Sequence, residues 1–311
     1  MPGHRSALHL ECYQFNTFFT AVYYSCKLLI MLLLHTVAET RSYIRDLRQK
    51  GSRVGFVPTM GALHQGHLSL VNKARQENDI VICSIFVNPI QFNNPDDLVK
   101  YPSTPESDMT MLAGGGCDAV FVPAVAEMYP EPDTTVYDFG MLDKVMEGRF
   151  RPGHFNGVAI VVHRLLEITM PDVAYFGEKD FQQLVIIRKM VEMLSMKTAI
   201  VSCPIVRETD GLAMSSRNQR LLPDERSVAP QLYAILQKAV AAYTSQTPAG
   251  LQQMIIADIE QNPLFRVEYV EIVDMDTLMP VTAWIDNNHI IVCIAVYLGQ
   301  VRLIDNIVLQ Q

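Results

Sequence analysis

Two histidines stand three residues apart in the segment Pro58-Thr59-Met60-Gly61-Ala62-Leu63-His64-Gln65-Gly66-His67, between a short apolar run and a stretch of helical periodicity. Glycines at such a junction let the backbone approach an anion, and the free N–H groups of a helix start add positive potential at the same place. Paired imidazoles there can donate hydrogen bonds to phosphate oxygens and stabilise the charge that builds on a leaving pyrophosphate. Gly61 and Gly66 have the spacing of a Walker A loop, but His67-Leu68 occupies the place of Lys-Ser/Thr, so an ordinary P-loop is excluded. A zinc pair and two surface histidines are the competing readings. The spacing lacks the H-E-x-x-H form, and no third ligand is evident.

Further polar groups fall at comparable positions. Met214-Ser215-Ser216-Arg217 follows the turn-rich segment Val206 to Leu212, and hydroxyls beside an arginine suit phosphate oxygens. Gly177-Glu178-Lys179-Asp180 closes one strand-like run and opens a helix carrying Gln183; Lys179 is placed to meet a phosphate and Asp180 to cap the helix. Asn88 and Gln91 bring two amides to the end of another run, where amides read hydroxyls and carboxylates. The loop Glu147 to Phe155, with Arg149, Arg151 and His154, reads equally as an anion clamp or a solvated turn. Asp96 and Asp97 read as an exposed polar loop and His163 as a core histidine. Asp108, in the first turn of a helix, is a candidate to help place magnesium.

The elements that must position these residues alternate in period. Thr36 is expected to cap a helix that stops near Gly51. Strands are expected at Val54–Pro58, Ile80–Val87, Asp118–Val122, Val173–Phe176 and Thr198–Cys203. Helices fall between them, one capped by Thr104, started by Pro105 and ended by Gly114, another from about Gly157 to Ile168, and a third from Phe181 to Leu194. Five such strands predict an α/β fold: a Rossmann-like open parallel sheet with helices on both faces, binding ligands at the carboxyl ends of its strands. After Pro204 come helices and then strands at 267–274, 289–298 and 301–307, with a hairpin at Leu298-Gly299-Gln300. The domains expected are an extra segment 1–30, a nucleotide-binding domain 31–205 and a smaller α+β C-terminal domain 206–311 that closes over the site.

The chain has 311 residues, 49% hydrophobic and 19% charged, which excludes disorder and predicts a packed globule. A formal charge of -8 argues against nucleic acid as a partner. The six cysteines contain no C-x-x-C pair and read as reduced thiols of a cytoplasmic protein. Phe15 to Leu34 is nearly long enough to cross a bilayer, but Lys27 interrupts it and no cleavage site follows, so no membrane association is expected.

The motifs PTMGALHQGH, FVNPIQF, RPGHFNG, FGEKDFQQL and GLAMSSRN, in this order, closely resemble the pantothenate synthetase family, and the likeness spans residues 31 to 311. The H-x-G-H and Ser-Ser-Arg elements are also similar to the wider nucleotidyltransferase superfamily. The resemblance implies ATP-dependent condensation of pantoate with β-alanine in a cytoplasmic homodimer using Mg²⁺. It implies that Met60, Gly61, Ala62, Leu63, His64, Gln65, Gly66 and His67 hold ATP, with His67 matching the family's proton donor and His64 its partner. Gly177, Glu178, Lys179, Asp180, Val206, Met214, Ser215, Ser216 and Arg217 match the remaining ATP contacts. Gln91 and Gln183 match the pantoate site, and Asn88 and Arg151 match substrate-side residues. An acidic pair carried by some members stands here as Ser107-Asp108. Family chains begin near Met31, so residues 1–30 are expected to come from a misassigned upstream start. The chemistry expected is attack of a carboxylate on the α-phosphorus of ATP, loss of pyrophosphate, and attack of an amine on the resulting anhydride with release of AMP. No covalent nucleophile is required. Two alternatives are another HxGH-type nucleotidyltransferase, distinguished by whether free AMP is released in the presence of an amine, and a non-catalytic nucleotide-sensing module, which would bind ATP without turnover.

Overall fold

In the computed structural model, residues 31–92, 95–284 and 289–310 are described. The expectations for residues 1–30, including Cys12, Cys26 and most of the apolar stretch, lie outside them. A six-stranded parallel sheet is formed by β1 (Leu32–Leu34), β2 (Val54–Thr59), β3 (Ile80–Ile85), β4 (Ala119–Phe121), β5 (Val173–Gly177) and β6 (Ala199–Cys203), in the order β1-β4-β3-β2-β5-β6. The chain runs outward from β2 through β3 to β4, then returns to place β5 on the other side of β2. That reversal makes the crevice beyond the ends of β2 and β5 the switch point, where ligands bind in open parallel sheets.

The five expected strands are present, but β1 is an addition. Leu32–Leu34, in sequence the end of a membrane-like run, pairs in parallel with β4, with Leu34 buried and Leu32 and Leu33 exposed at the sheet edge. Three leucines joined to a longer apolar stretch show no period of their own, and only the partner strand defines them. Among the described residues, no helix is long and apolar enough to cross a membrane.

The helices of this half are α1 (Val37–Gln49), α2 (Gln65–Glu77), α3 (Pro95–Val99), α4 (Pro105–Gly114), α5 (Val125–Met128), α6 (Met146–Phe150), α7 (His154–Thr169) and α8 (Phe181–Met193). Thr36 caps α1 in a reciprocal box with Glu39. Thr104 does not cap α4 in this way: its hydroxyl is directed at Asp108 and leaves the backbone uncapped. One face of the sheet packs Phe56, Ile82 and Phe121 against Val158, Leu165 and Ile187; the other packs Val57, Val81 and Tyr175 against Leu70 and Leu112. Each fully buried side chain of this kind contributes roughly 1.5–3 kcal/mol. Cys83, Cys117, Cys203 and Cys293 are buried and free.

The C-terminal part holds α9 (Pro223–Val228), α10 (Gln231–Ala242), α11 (Pro248–Glu260) and an antiparallel sheet of β7 (Phe265–Asp274), β8 (Ile290–Leu298) and β9 (Val301–Gln310). The expected hairpin joins β8 to β9, with Gly299 supplying a φ of 56°. One face of this small sheet packs Val270, Val292 and Leu303 on α10 and α11. Its other face lays Tyr269, Ile291 and Cys293 on Met146, Phe181 and Val185 of the first half.

Candidate active site

The histidine turn is shaped at the end of β2. Gly61 has φ 80° and Ala62 φ 49°, so two successive residues take the left-handed region that an alanine disfavours. The carboxylate of Asp108 holds them there, accepting from Ala62 N at 2.9 Å, Leu63 N at 2.8 Å and the Thr104 hydroxyl at 2.9 Å. Asp108 is 2% exposed. Asp108, the candidate to help place magnesium, lines neither of the two larger cavities, and its carboxylate is turned to the loop backbone. Sequence spacing could not reveal that bond, which joins α4 to a turn about forty residues earlier.

Beyond this turn, His64 is the N-cap of α2 and its Nδ1 accepts from Gly66 N at 3.1 Å, while the His67 Nδ1 accepts from His64 N at 3.2 Å. With both Nδ1 atoms accepting, Nε2 carries the hydrogen on each neutral ring. The rings lie 4.1 Å apart. Burial lowers the His64 pKa to about 4, with Lys179 adding to the effect, and burial together with His64 and Lys179 lowers His67 to about 3. Two uncharged imidazoles, each with one fixed donor, therefore flank the crevice at neutral pH.

A cavity of about 220 Å³ opens in front of them. Met60, His64, Gly66 and His67 line one wall. The end of β5 and the start of α8 bring Gly177, Lys179, Asp180 and Gln183; Gln91 comes from the 3₁₀ turn after β3. Val206, Met214, Ser215, Ser216 and Arg217 close the opposite side, where Ser215 caps its own 3₁₀ turn through Arg217 N. Asp180 occupies the N-cap position of α8 but makes no capping bond; its carboxylate faces Lys179 Nζ at 3.3 Å, against the expected capping role.

Other expected site residues stand elsewhere. Gly61, Ala62 and Leu63 are buried behind the turn, and Gln65 points outward as an exposed residue at the start of α2. Glu178 lines neither this cavity nor the neighbouring one; its backbone carbonyl accepts from Asn306 Nδ2. Asn88, expected on the substrate side, is 1% exposed and its amide is consumed internally: Nδ2 donates to Gln91 Oε1 and Gly157 O, and Oδ1 accepts from the Tyr129 hydroxyl. It braces Gln91. Gly157 permits that arrangement, since a Cβ there would lie 2.7 Å from Ile90 O.

The neighbouring cavity, of about 470 Å³, shares Lys179, Asp180, Ser215 and Arg217 with the first and extends between the two halves of the molecule. Arg151 belongs to this one. So do several residues that spacing did not point to. Asp97, expected in an exposed loop, is paired with both Arg217 at 2.9 Å and Arg220 at 3.0 Å. Glu147 is not on a solvated turn: it is 8% exposed, and Arg302 of β9 grips it with bonds of 2.9 and 2.7 Å while the Tyr269 hydroxyl donates at 2.8 Å. Burial alone would raise the Glu147 pKa, but the Arg302 guanidinium outweighs it and holds the carboxyl below its usual range. Arg302 also contacts Glu268. Tyr101, 3.4 Å from the Ser216 hydroxyl, completes the inner wall. The one available signal was charge inside β9: Arg302 and Asp305 in a mostly apolar strand require partners.

The strand order and the histidine turn at the switch point define a Rossmann-like α/β protein with a donor-lined crevice. The family model for pantoate-beta-alanine ligase matches residues 32–308. The pantothenate synthetase of Porphyromonas gingivalis is 50% identical over 277 residues, 89% of this chain and 99% of the relative, and that of Bacteroides thetaiotaomicron is 50% identical over 277 residues, 89% and 98%. The crystal structure of pantothenate synthetase from Thermus thermophilus superposes with a TM-score of 0.84 at 43% identity, covering 90% of this chain and 100% of the other. The pantoate-beta-alanine ligase of Francisella tularensis, complexed with beta-gamma ATP and beta-alanine, gives 0.75 at 35% identity, covering 91% and 99%. The chain belongs to the pantoate-beta-alanine ligase family.

Proposed function

We propose that this chain joins pantoate to β-alanine with consumption of ATP, forming pantoyl adenylate and pyrophosphate and then pantothenate and AMP. The observation that carries the reading is a single cavity in which the His64–His67 turn faces Lys179 and Ser215–Arg217, with the amides of Gln91 and Gln183 on the same crevice. In this reading the Nε2–H groups of His64 and His67, the Lys179 ammonium and the Arg217 guanidinium take the phosphates. Gln91 and Gln183 hold the hydroxyls and carboxylate of pantoate so that one carboxylate oxygen lies in line with the α-phosphorus. His67, neutral in the free protein, acts by its hydrogen bond, and becomes a proton donor when the bound phosphates raise its pKa. Arg151, in the outer cavity, is assigned to the substrate side, where an amino acid carboxylate can meet it.

Among the described residues no three His, Cys, Asp or Glu side chains gather as metal ligands, and Asp108 is spent on the loop. The described residues therefore do not fit a resident magnesium site. Mg²⁺ enters the proposal as the counter-ion of ATP, coordinated by phosphate oxygens and water. The reading includes a cytoplasmic homodimer and a closing motion of 206–311 over 31–205 about Val206 that excludes water from the anhydride. The test is AMP release from ATP, pantoate and β-alanine, with each substrate omitted in turn. Pantoate-dependent pyrophosphate exchange without β-alanine is expected; AMP formation that ignores pantoate would refute the assignment.

A further inference from the structure

Opposite the histidine turn, two further segments are proposed to meet phosphate, the Lys179 turn and the Val206–Arg217 loop, and among the described residues the Lys179 ammonium bonds to Asp180 rather than to that loop. Both segments are tied instead to one dipeptide of β9. Side chains alternate along a strand, so Asp305 and Asn306 leave it on opposite faces. On the face turned to the first half, Asn306 Nδ2 donates to the carbonyls of Glu178 at 2.8 Å and Lys179 at 3.1 Å. On the other, the Asp305 carboxylate takes both arms of Arg207, at 2.6 and 3.0 Å, and Arg207 also lies 3.6 Å above the Tyr233 ring and donates to Gly211 O. Arg207 bridges to Ala213, and Met214 N donates to Val206 O, so fixing Arg207 fixes the base of the loop that presents Ser215 to Arg217. Both members of the dipeptide are 5% exposed, and neither lines the inner cavity.

We infer that Asp305 and Asn306 are positioning residues for the ATP step: β9 acts as a rigid spacer that sets Lys179 against Ser215–Arg217 across the triphosphate. The inference rests on the assignment of those groups to phosphate in the proposed function. A strand fits this task because its two faces are fixed relative to each other, whereas two loops are not. A displacement of about 1 Å at reacting groups costs on the order of a hundredfold in rate.

The experiment is a double-mutant cycle of Asn306→Ala and Lys179→Ala, read as single-turnover adenylate formation with KM for ATP and for pantoate measured separately. Asn306→Ala is expected to lower kcat/KM for ATP roughly 10- to 100-fold, to leave the pantoate KM within about twofold, and to add little once Lys179 is already gone. Asn306→Ser, retaining one donor, should recover part of the loss and serves in its place if the alanine variant does not fold. Asp305→Asn should impair ATP in the same selective way without the dependence on Lys179. The inference is overturned if Asn306→Ala and Asn306→Ser leave ATP kinetics unchanged, if they weaken pantoate as much as ATP, or if the losses multiply in full with Lys179→Ala. An unimpaired Lys179→Ala is a distinct result: it removes the phosphate role of Lys179, and this inference with it. Loss in Lys179→Ala beside normal kinetics in the Asn306 variants overturns the positioning claim alone.

Discussion

The two adjoining cavities are built in different ways. The inner one takes most of its polar groups from short local stretches, within 58–67 after β2, 177–183 after β5 and 214–217, and closes against apolar side chains of α7. The outer one is held by ion pairs between distant segments, Arg302 with Glu147 at 155 residues' separation and Arg217 and Arg220 with Asp97 at more than a hundred. Local turns aim donors into a crevice while the sheet beneath carries the stability. These ion pairs, largely buried at Glu147 and half-buried at Asp97, join the two halves of the molecule, so removing one partner leaves a poorly compensated charge. The lesson is that changes at the inner wall should alter chemistry and leave the fold, whereas changes in the outer network should act first on stability.

The largest effect expected is in the outer network. Glu147→Ala leaves Arg302 with Glu268 alone and removes the acceptor of the Tyr269 hydroxyl, and it should lower stability by about 3 kcal/mol in urea unfolding; a change below about 1 kcal/mol would break the comparison. Next is His67→Ala, which should slow pyrophosphate exchange roughly a hundredfold or more with the melting temperature almost unchanged. Exchange near the wild-type rate would remove His67 from phosphate chemistry. Gln183→Ala should weaken pantoate about tenfold and ATP less, and equilibrium binding showing the reverse order would move Gln183 out of the acid's pocket.

The smallest effect is a titration. Both imidazoles have folded pKa values below the ordinary 6.5, at about 4 and about 3. Above pH 6.5 they are neutral folded or unfolded and contribute no pH dependence. Below it the unfolded chain binds protons that the folded one refuses, so their contribution to stability falls as pH drops from 6.5 towards 4. NMR titration of the ring protons should place both midpoints well below 5; a midpoint near 6.5 for either would mean that its ring is solvated.

What was legible in the sequence follows from range. Gly61, Gly66 and the two histidines constrain one another within a single turn, and strand and helix periods on either side place that turn at a strand end. The same reasoning found the Lys179 and Ser215–Arg217 segments, because each is punctuated by its own turn residues. It gave no sign of the distant partners of Asp108, Asn88 and Asp97, which lie 45, 69 and 120 residues away. It also missed β1, three leucines recognisable only by pairing with β4.

By itself the chain determined where strands end, which loops carry donors and that two imidazoles would share one helix start, since backbone preference and side-chain period act over a few residues. Tertiary structure alone decided which carboxylates shape the loops, that the imidazoles are uncharged, and that β9 spans from Arg207 to the Lys179 turn. Burial and ion pairing depend on what the rest of the fold brings near, and a linear spacing carries no record of that.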